Sequence, residues 1–294
     1  MGRTRPLGGK LVFVTGGARG IGRATAAALV AKGARVVIGD LDRELAARTA
    51  AELGGGVQAV QLDVTDHRGF TAVLDRVENQ LGPIDVLINN AGVMPIGPFE
   101  DDTHESAYRQ FSINVFALMH GTRAAIKRMK PRGRGHIVNV ASMAGVVPIP
   151  GGATYSASKH AVVGLCESLA WELRGTGIDL SYVLPALVNT ELAAGVRRSR
   201  AANTIEPEVV AREIVGALER PRLAVYAPRS MGAITKLTGL IPRRLGDKIM
   251  TASGSDHLLA DSLGDPARLA YEARVAASAP GAEKRRAGAI DAPR

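Results

Sequence analysis

Lys10-Leu11-Val12-Phe13-Val14-Thr15-Gly16-Gly17-Ala18-Arg19-Gly20-Ile21-Gly22 is the stretch that decides the fold. Its apolar run reads as a strand buried on both faces. The strand feeds a turn whose glycines bend the backbone tightly and let it approach a pyrophosphate. The helix that opens at Gly20 would then stabilise that anion at its N-terminus. Three residues separate Gly16 from Gly20, where the commoner dinucleotide fingerprint places one. What ties this turn to nucleotide binding is its place between the first strand and the first helix of an alternating pattern.

The alternation continues along the chain. Short apolar runs predict strands at 10–15, 35–39, 56–61, 86–89, 136–141 and 179–184, with a weaker seventh at 223–226. Helical periodicity falls between them at 20–32, 43–53, 65–80, 103–129 and 154–174. This predicts an α/β fold, a single-domain Rossmann-type doubly wound parallel sheet of about seven strands with helices on both faces. Residues 1–227 read as the dinucleotide-binding catalytic domain and 228–275 as a helical extension punctuated by Gly and Pro. Residues 276–294, rich in Ala, Gly, Pro and charge, read as a disordered tail.

Composition narrows the function classes. A hydrophobic content of 46% supports a substantial core. No apolar run approaches the roughly 20 residues that span a bilayer, and no apolar signal core follows the basic N-terminus. The lone Cys166 cannot form an internal disulfide, which fits a cytoplasmic protein. It sits in an apolar helical stretch without a metal-ligand pattern and reads as a buried structural thiol. The net charge of +9 is uneven: 20 Lys/Arg against 17 Asp/Glu in residues 1–191, then 17 against 11 in the rest. No zinc-finger, basic-helix or stacking-aromatic pattern accompanies it, so nucleic acid is not an expected partner.

Asp40 ends the second strand, eighteen residues after Gly22. An acidic side chain there accepts hydrogen bonds from ribose hydroxyls and repels a 2′-phosphate. Arg19 is the counter-signal, because a guanidinium can pair with that phosphate, and Arg43 is a more remote candidate. Weighing these favours NAD over NADP. Asp63 and Val64 close the third strand, where a carboxylate and an amide could hold adenine; Asp63 could equally cap the helix after it.

Tyr155 and Lys159 lie four residues apart and so share a helix face. A free phenol, with a pKa of about 10, is a poor proton carrier at neutral pH. A neighbouring ammonium is expected to lower it towards the working range.

Together these residues resemble the short-chain dehydrogenase/reductase family. The matching pieces are Thr15-Gly16-x-x-x-Gly20-x-Gly22, Asn89-Asn90-Ala91-Gly92, Asn114, Ser142 and Tyr155-x-x-x-Lys159, in the family's order, across about residues 9–192. The resemblance implies that Tyr155 is the general acid/base and that Ser142 holds the substrate oxygen. Lys159 would lower the Tyr155 pKa and bond the nicotinamide ribose, and Asn114 would organise a water relay behind it. Gly16, Arg19, Gly20, Ile21 and Gly22 would hold the pyrophosphate. Asn90, Ala91 and Gly92 would line the cofactor, and Pro185, Val188 and Thr190 would sit at its nicotinamide end. The chain departs from the family at Ala186, where glycine is usual.

Pocket walls at 93–99, 143–152 and 187–196 are largely apolar and small, which suits a hydrophobic alcohol or ketone. The amphipathic, basic stretch 230–250 looks like the C-terminal part of retinol- and steroid-type members. It could cap the pocket, contact an anionic membrane surface peripherally, or pack on the core. Two rivals remain at this point: an NADPH-dependent ketoacyl reductase, and a non-catalytic nucleotide sensor on the same fold. The helices at 103–129 and 154–174 are the family's usual pairing surfaces, so a homodimer or homotetramer is expected.

Overall fold

The structure, a computed structural model, describes residues 4–196, 204–238, 248, 251, 259 and 262–277. Seven parallel strands form one sheet in the order β3-β2-β1-β4-β5-β6-β7. They are β1 (Leu11–Thr15), β2 (Arg35–Asp40), β3 (Gln58–Gln61), β4 (Val86–Asn89), β5 (Gly135–Val140), β6 (Ile178–Pro185) and β7 (Ala224–Ala227). The expected strand 56–61 starts later because Gly54, Gly55 and Gly56 all take positive φ and complete a turn first.

Side-chain alternation divides β1 between two cores. Leu11 and Phe13 join Phe70, Leu74 and Val77 of α3 (His67–Leu81), Leu118 and Met129 of α5 (Leu118–Met129), and Val162 and Cys166 of α6 (Ala153–Glu172). Val12 and Val14 join Ala26 and Leu29 of α1 (Gly20–Val30) and Ala50 of α2 (Arg43–Leu53). Helix α7 (Pro207–Glu219) completes that second layer with Val210, Ile214 and Leu218. The sequence reading had no helix there, although Pro207 at the first turn and apolar residues every four positions are ordinary helix signals.

The expected helix 103–129 is continuous but not uniform. Its first part, α4 (His104–Phe111), is capped by Thr103, and Ser112–Ala117 then widens to a π-turn before α5 begins. In the extension, α8 (Ser230–Thr238) lies against β7, and Met231 packs on the first core. The rest of 230–250, apart from Lys248, lies outside the described residues. Helix α9 (Pro266–Ala277) covers the start of the expected tail, whose remaining residues also lie outside those described. Among the described residues, no helix is long and apolar enough to cross a membrane.

One core residue gives stability a pH dependence. His136 on β5 is buried against Ser181 Oγ at 2.9 Å, with Asp179 and Arg5 nearby. Burial pushes its imidazolium down to about 4 from an ordinary 6.5. Between those values the unfolded chain binds the extra proton, so stability is whole above pH 6.5 and falls as pH drops towards 4. The loss is on the order of 3 kcal/mol. Denaturant titrations at stepped pH should show this fall, and His136→Gln should flatten it.

Candidate active site

Every sequence-identified site residue lies at or just beyond the C-terminal ends of the strands, or on a helix facing that edge. The strand order reverses between β1 and β4, which opens a crevice there. Gly16 and Gly20 take positive φ in the turn after β1. A Cβ at Gly22 would sit 2.1 Å from the Gly16 carbonyl oxygen, and one at Gly20 would press on the Thr190 side chain at 3.1 Å. Helix α1 carries no side-chain cap and no acidic residue in its first turn, whereas α2 and α3 are capped by Asp42 and Asp66. The amides of α1 near Ile21 are thus left for an external anion. These features fit the pyrophosphate of a dinucleotide.

Asp40 sits at the end of β2 with Oδ2 accepting from the Ala18 amide at 3.1 Å and Oδ1 from the Asp42 amide at 3.2 Å. Arg19 is held by carboxylates, donating to Glu191 Oε2 at 2.8 Å and Asp42 Oδ2 at 3.3 Å. Asp63 lies beyond β3 and folds back on Thr65, accepting from its amide and hydroxyl. It does not cap the following helix; Asp66 does, because the helix starts at His67 and not at 65. Val64 packs against the first core.

The Asn90 side chain donates to the Thr15 and Gly16 carbonyls and so ties the β4 loop to the glycine turn. Ala91 donates its amide to Thr15 Oγ1. At Gly92 a Cβ would come within 3.2 Å of Asn114 Oδ1 and 3.6 Å of Lys159 Nζ, so these three groups converge. Asn114 lies inside the π-turn, fully buried; its amide bonds Val93 in both directions at 2.9 Å and reaches Ser158 Oγ at 3.1 Å. Pro185 closes β6, and Ala186 donates to the Ala227 carbonyl with its methyl against the first core. Val188 is buried and pairs with Ile205, while Thr190 turns back to the Val188 carbonyl.

Tyr155 and Lys159 share a face of α6, with Lys159 Nζ 5.7 Å from the phenol ring centre. Ser142, following β5, accepts from the Ala144 amide, and its hydroxyl acts on the Tyr155 phenol as a polar neighbour. The expected direction of the Tyr155 shift is reversed. Burial pushes the phenol up to about 12, against a smaller downward pull from Ser142. Lys159 is equally enclosed; burial brings it down to about 8, and its ammonium donates to the Val140 carbonyl at 3.0 Å. Desolvation disfavours charge on both groups and is the largest influence on each. Cys166 is a buried thiol pushed up to about 11, with Asn139 donating to its sulfur. Among the described residues no cluster could hold a metal ion.

Residues 10–201 match the family described as short chain dehydrogenase. The chain belongs to the short-chain dehydrogenase family. Members similar to it include a 3-alpha-(or 20-beta)-hydroxysteroid dehydrogenase of Mycobacterium bovis, 40% identical over 184 residues that make up 63% of this chain and 71% of that protein. A sorbitol dehydrogenase of Cereibacter sphaeroides is 40% identical over 65% of this chain and 75% of its own length. A short-chain dehydrogenase/reductase from Burkholderia phymatum, solved in complex with NAD, superposes with a TM-score of 0.73 at 28% identity, covering 79% of this chain and 94% of that one. This short-chain dehydrogenase is therefore an oxidoreductase that acts on CH–OH groups with a nicotinamide cofactor.

The sequence reading missed one contributor. Helix α9 brings Arg268 and Tyr271 against the pocket walls, through contacts across more than 170 positions that leave no local pattern.

Proposed function

We propose that the protein interconverts a hydrophobic alcohol and its ketone or aldehyde, with Tyr155 passing the proton and NAD as the preferred cofactor. The observation that carries this is the Tyr155 phenol set beside Lys159 and against an apolar wall of Met94, Ile96, Ala144, Ile149 and Leu192, with Ser142 as its polar neighbour. A sugar would leave its hydroxyls unpaired against such a wall. The bound cofactor supplies or accepts the hydride. Ser142 holds the substrate oxygen, and Tyr155 Oη delivers a proton to it in reduction or takes one in oxidation. Lys159, in the protonated form it keeps below about 8, favours the phenolate and bonds the nicotinamide ribose, while Asn114 steadies the Val93 backbone beside it. Gly16, Arg19, Gly20, Ile21 and Gly22 receive the pyrophosphate, and Asp63 and Val64 the adenine. Asn90, Ala91, Gly92, Pro185, Val188 and Thr190 line the path to the nicotinamide. Purified protein screened with lipophilic alcohols and NAD, followed by absorbance of the reduced cofactor, tests the reading; no turnover of any of them would end it.

The preference for NAD rests on Asp40 and on the carboxylates around Arg19. A 2′-phosphate there would face Asp40, Asp42 and Glu191 and compete for a guanidinium that already has two partners. Asp40→Ser should weaken NAD about tenfold and narrow the NAD-to-NADP preference by about a hundredfold. Fluorescence titration of both cofactors checks this. A wild-type protein binding NADP the more tightly would favour the ketoacyl-reductase reading, for which Arg19 is the support.

The exposed Tyr108, Phe116 and Trp171 on the α4–α5 and α6 faces, with the groove lined by Met119, Ile126, Leu165 and Leu169, support a homodimer or homotetramer. Packing of Met231 on the core favours a structural role over membrane contact for the start of 230–250. The catalytic unit is 1–227, with the 228–275 extension adding all but the last two residues of α9 to it. The single free thiol accords with the cytoplasm.

A further inference from the structure

Helix α9 supplies what the loop after β4 lacks. Residues 91–96 form neither strand nor helix, so their backbone polar groups need partners from elsewhere. Asn114 takes both groups of Val93. The next partners come from α9. The Tyr271 hydroxyl accepts from the Met94 amide at 2.8 Å, Arg268 donates to the Met94 carbonyl, and Glu272 accepts from the Ile96 amide at 3.4 Å. Positions 268, 271 and 272 fall on one helix face, so a single face of α9 holds this loop.

The same face reaches the loop after β6. Arg268 also donates to the Leu192 carbonyl at 3.0 Å, and its guanidinium therefore bridges the two loops. At Gly195, which takes positive φ, a Cβ would lie 2.9 Å from those of Arg268 and Asp265, so this loop rests directly on the start of α9. Arg268 is only 1% exposed, with Glu272 Oε1 at 2.9 Å and the Tyr271 ring centre 4.8 Å from the guanidinium carbon. A charge this deep is costly unless it is paired and its donors are engaged. A planar fork serves two carbonyls at once, which the single nitrogen of a lysine does not.

Both tethered residues belong to the apolar cluster around Tyr155. The cofactor side of the second loop has anchors of its own: Val188 pairs with Ile205, and the Thr190 amide donates to the Val188 carbonyl. We propose that Arg268 is a positioning residue: by fixing Met94 and Leu192 at one spacing beside the Tyr155 phenol, it sets the grip on a hydrophobic substrate. The inference rests on the alcohol–carbonyl reading above and places that control in the extension, outside the catalytic unit 1–227.

Steady-state kinetics with 1-indanol and cyclohexanol at saturating NAD test it on full-length Arg268→Lys and Glu272→Gln. Arg268→Lys keeps a charge beside Glu272 but loses the fork. KM for both alcohols should rise about tenfold, the order of one charged hydrogen bond, with kcat within about threefold of wild type. Glu272→Gln, at a partly exposed position, loosens the guanidinium and should raise KM in the same direction by about threefold. The NAD dissociation constant should not move in either variant. A merely structural role would lower Tm and the active fraction, which reduces kcat and leaves KM where it was. An unchanged KM in folded Arg268→Lys overturns the proposal; if that protein does not fold, an unchanged KM in Glu272→Gln overturns it equally. Either result, with wild type turning over the alcohols, sinks this inference alone. A wild type that turns over neither alcohol would sink it together with the reading beneath it.

Discussion

Tyr155→Phe should cut turnover by about a thousandfold while leaving NAD affinity within a few-fold of wild type. A positioned acid/base contributes on the order of 10²–10⁴ in rate, and the enclosed site offers no ready replacement. The Tyr155 ring lies against Met94 and Ala144, contacts that phenylalanine preserves, so the fold should hold. Only the hydroxyl and its polar contact with Ser142 are lost. The pH profile gives a second readout. Burial favours a neutral phenol and a neutral amine, with Tyr155 pushed up to about 12 and Lys159 down to about 8. Oxidation, which needs the Tyr155 phenolate to accept a proton, should therefore gain rate as pH rises and that form becomes populated, and the variant should lose that rise. Stopped-flow measurement with the best alcohol checks both. A Phe variant within about tenfold of wild type would remove Tyr155 from the proton path.

Much of this site is legible in the sequence because its parts are local. Helix α2 and strand β4 fall where periodicity puts them, since each is a single uninterrupted pattern. The glycine turn is equally plain, because positive φ at Gly16 and Gly20 restricts the residues that fit. Harder features depend on distance along the chain. The π-turn that buries Asn114 has the same apolar spacing as an α-helix. The clamp of Arg268 on Met94 and Leu192 pairs residues whose sequence neighbourhoods are unrelated. The Tyr155 shift shows the same gap in energetic form. Lys159 four residues on is visible in the sequence and suggests a lowered phenol, but the burial that reverses the sign is a property of the packed pocket.

Gly22→Ala should cost more than any other single methyl in the crevice. The added Cβ would lie 2.1 Å from the Gly16 carbonyl oxygen and 2.7 Å from Asn90 Nδ2. Neither can yield cheaply. The first is backbone, and the second donates to the Thr15 and Gly16 carbonyls at 2.9 and 3.0 Å, which holds the β4 loop against the turn. Relief therefore means moving α1 away from the turn, which separates its first amides from the place where the pyrophosphate would bind. Overpacking of this kind costs about 1–3 kcal/mol, and in a chain of this size that lowers Tm by roughly 2–10 °C. NAD affinity should fall by roughly a hundredfold or more, because both the close approach and the helix-terminal amides are lost together. Gly97→Ala, where a Cβ meets nothing within 4 Å, should leave both quantities unchanged. Calorimetry of unfolding beside a cofactor titration separates the two effects. A Gly22→Ala protein that binds NAD as wild type does would mean that the dinucleotide does not lie along this turn.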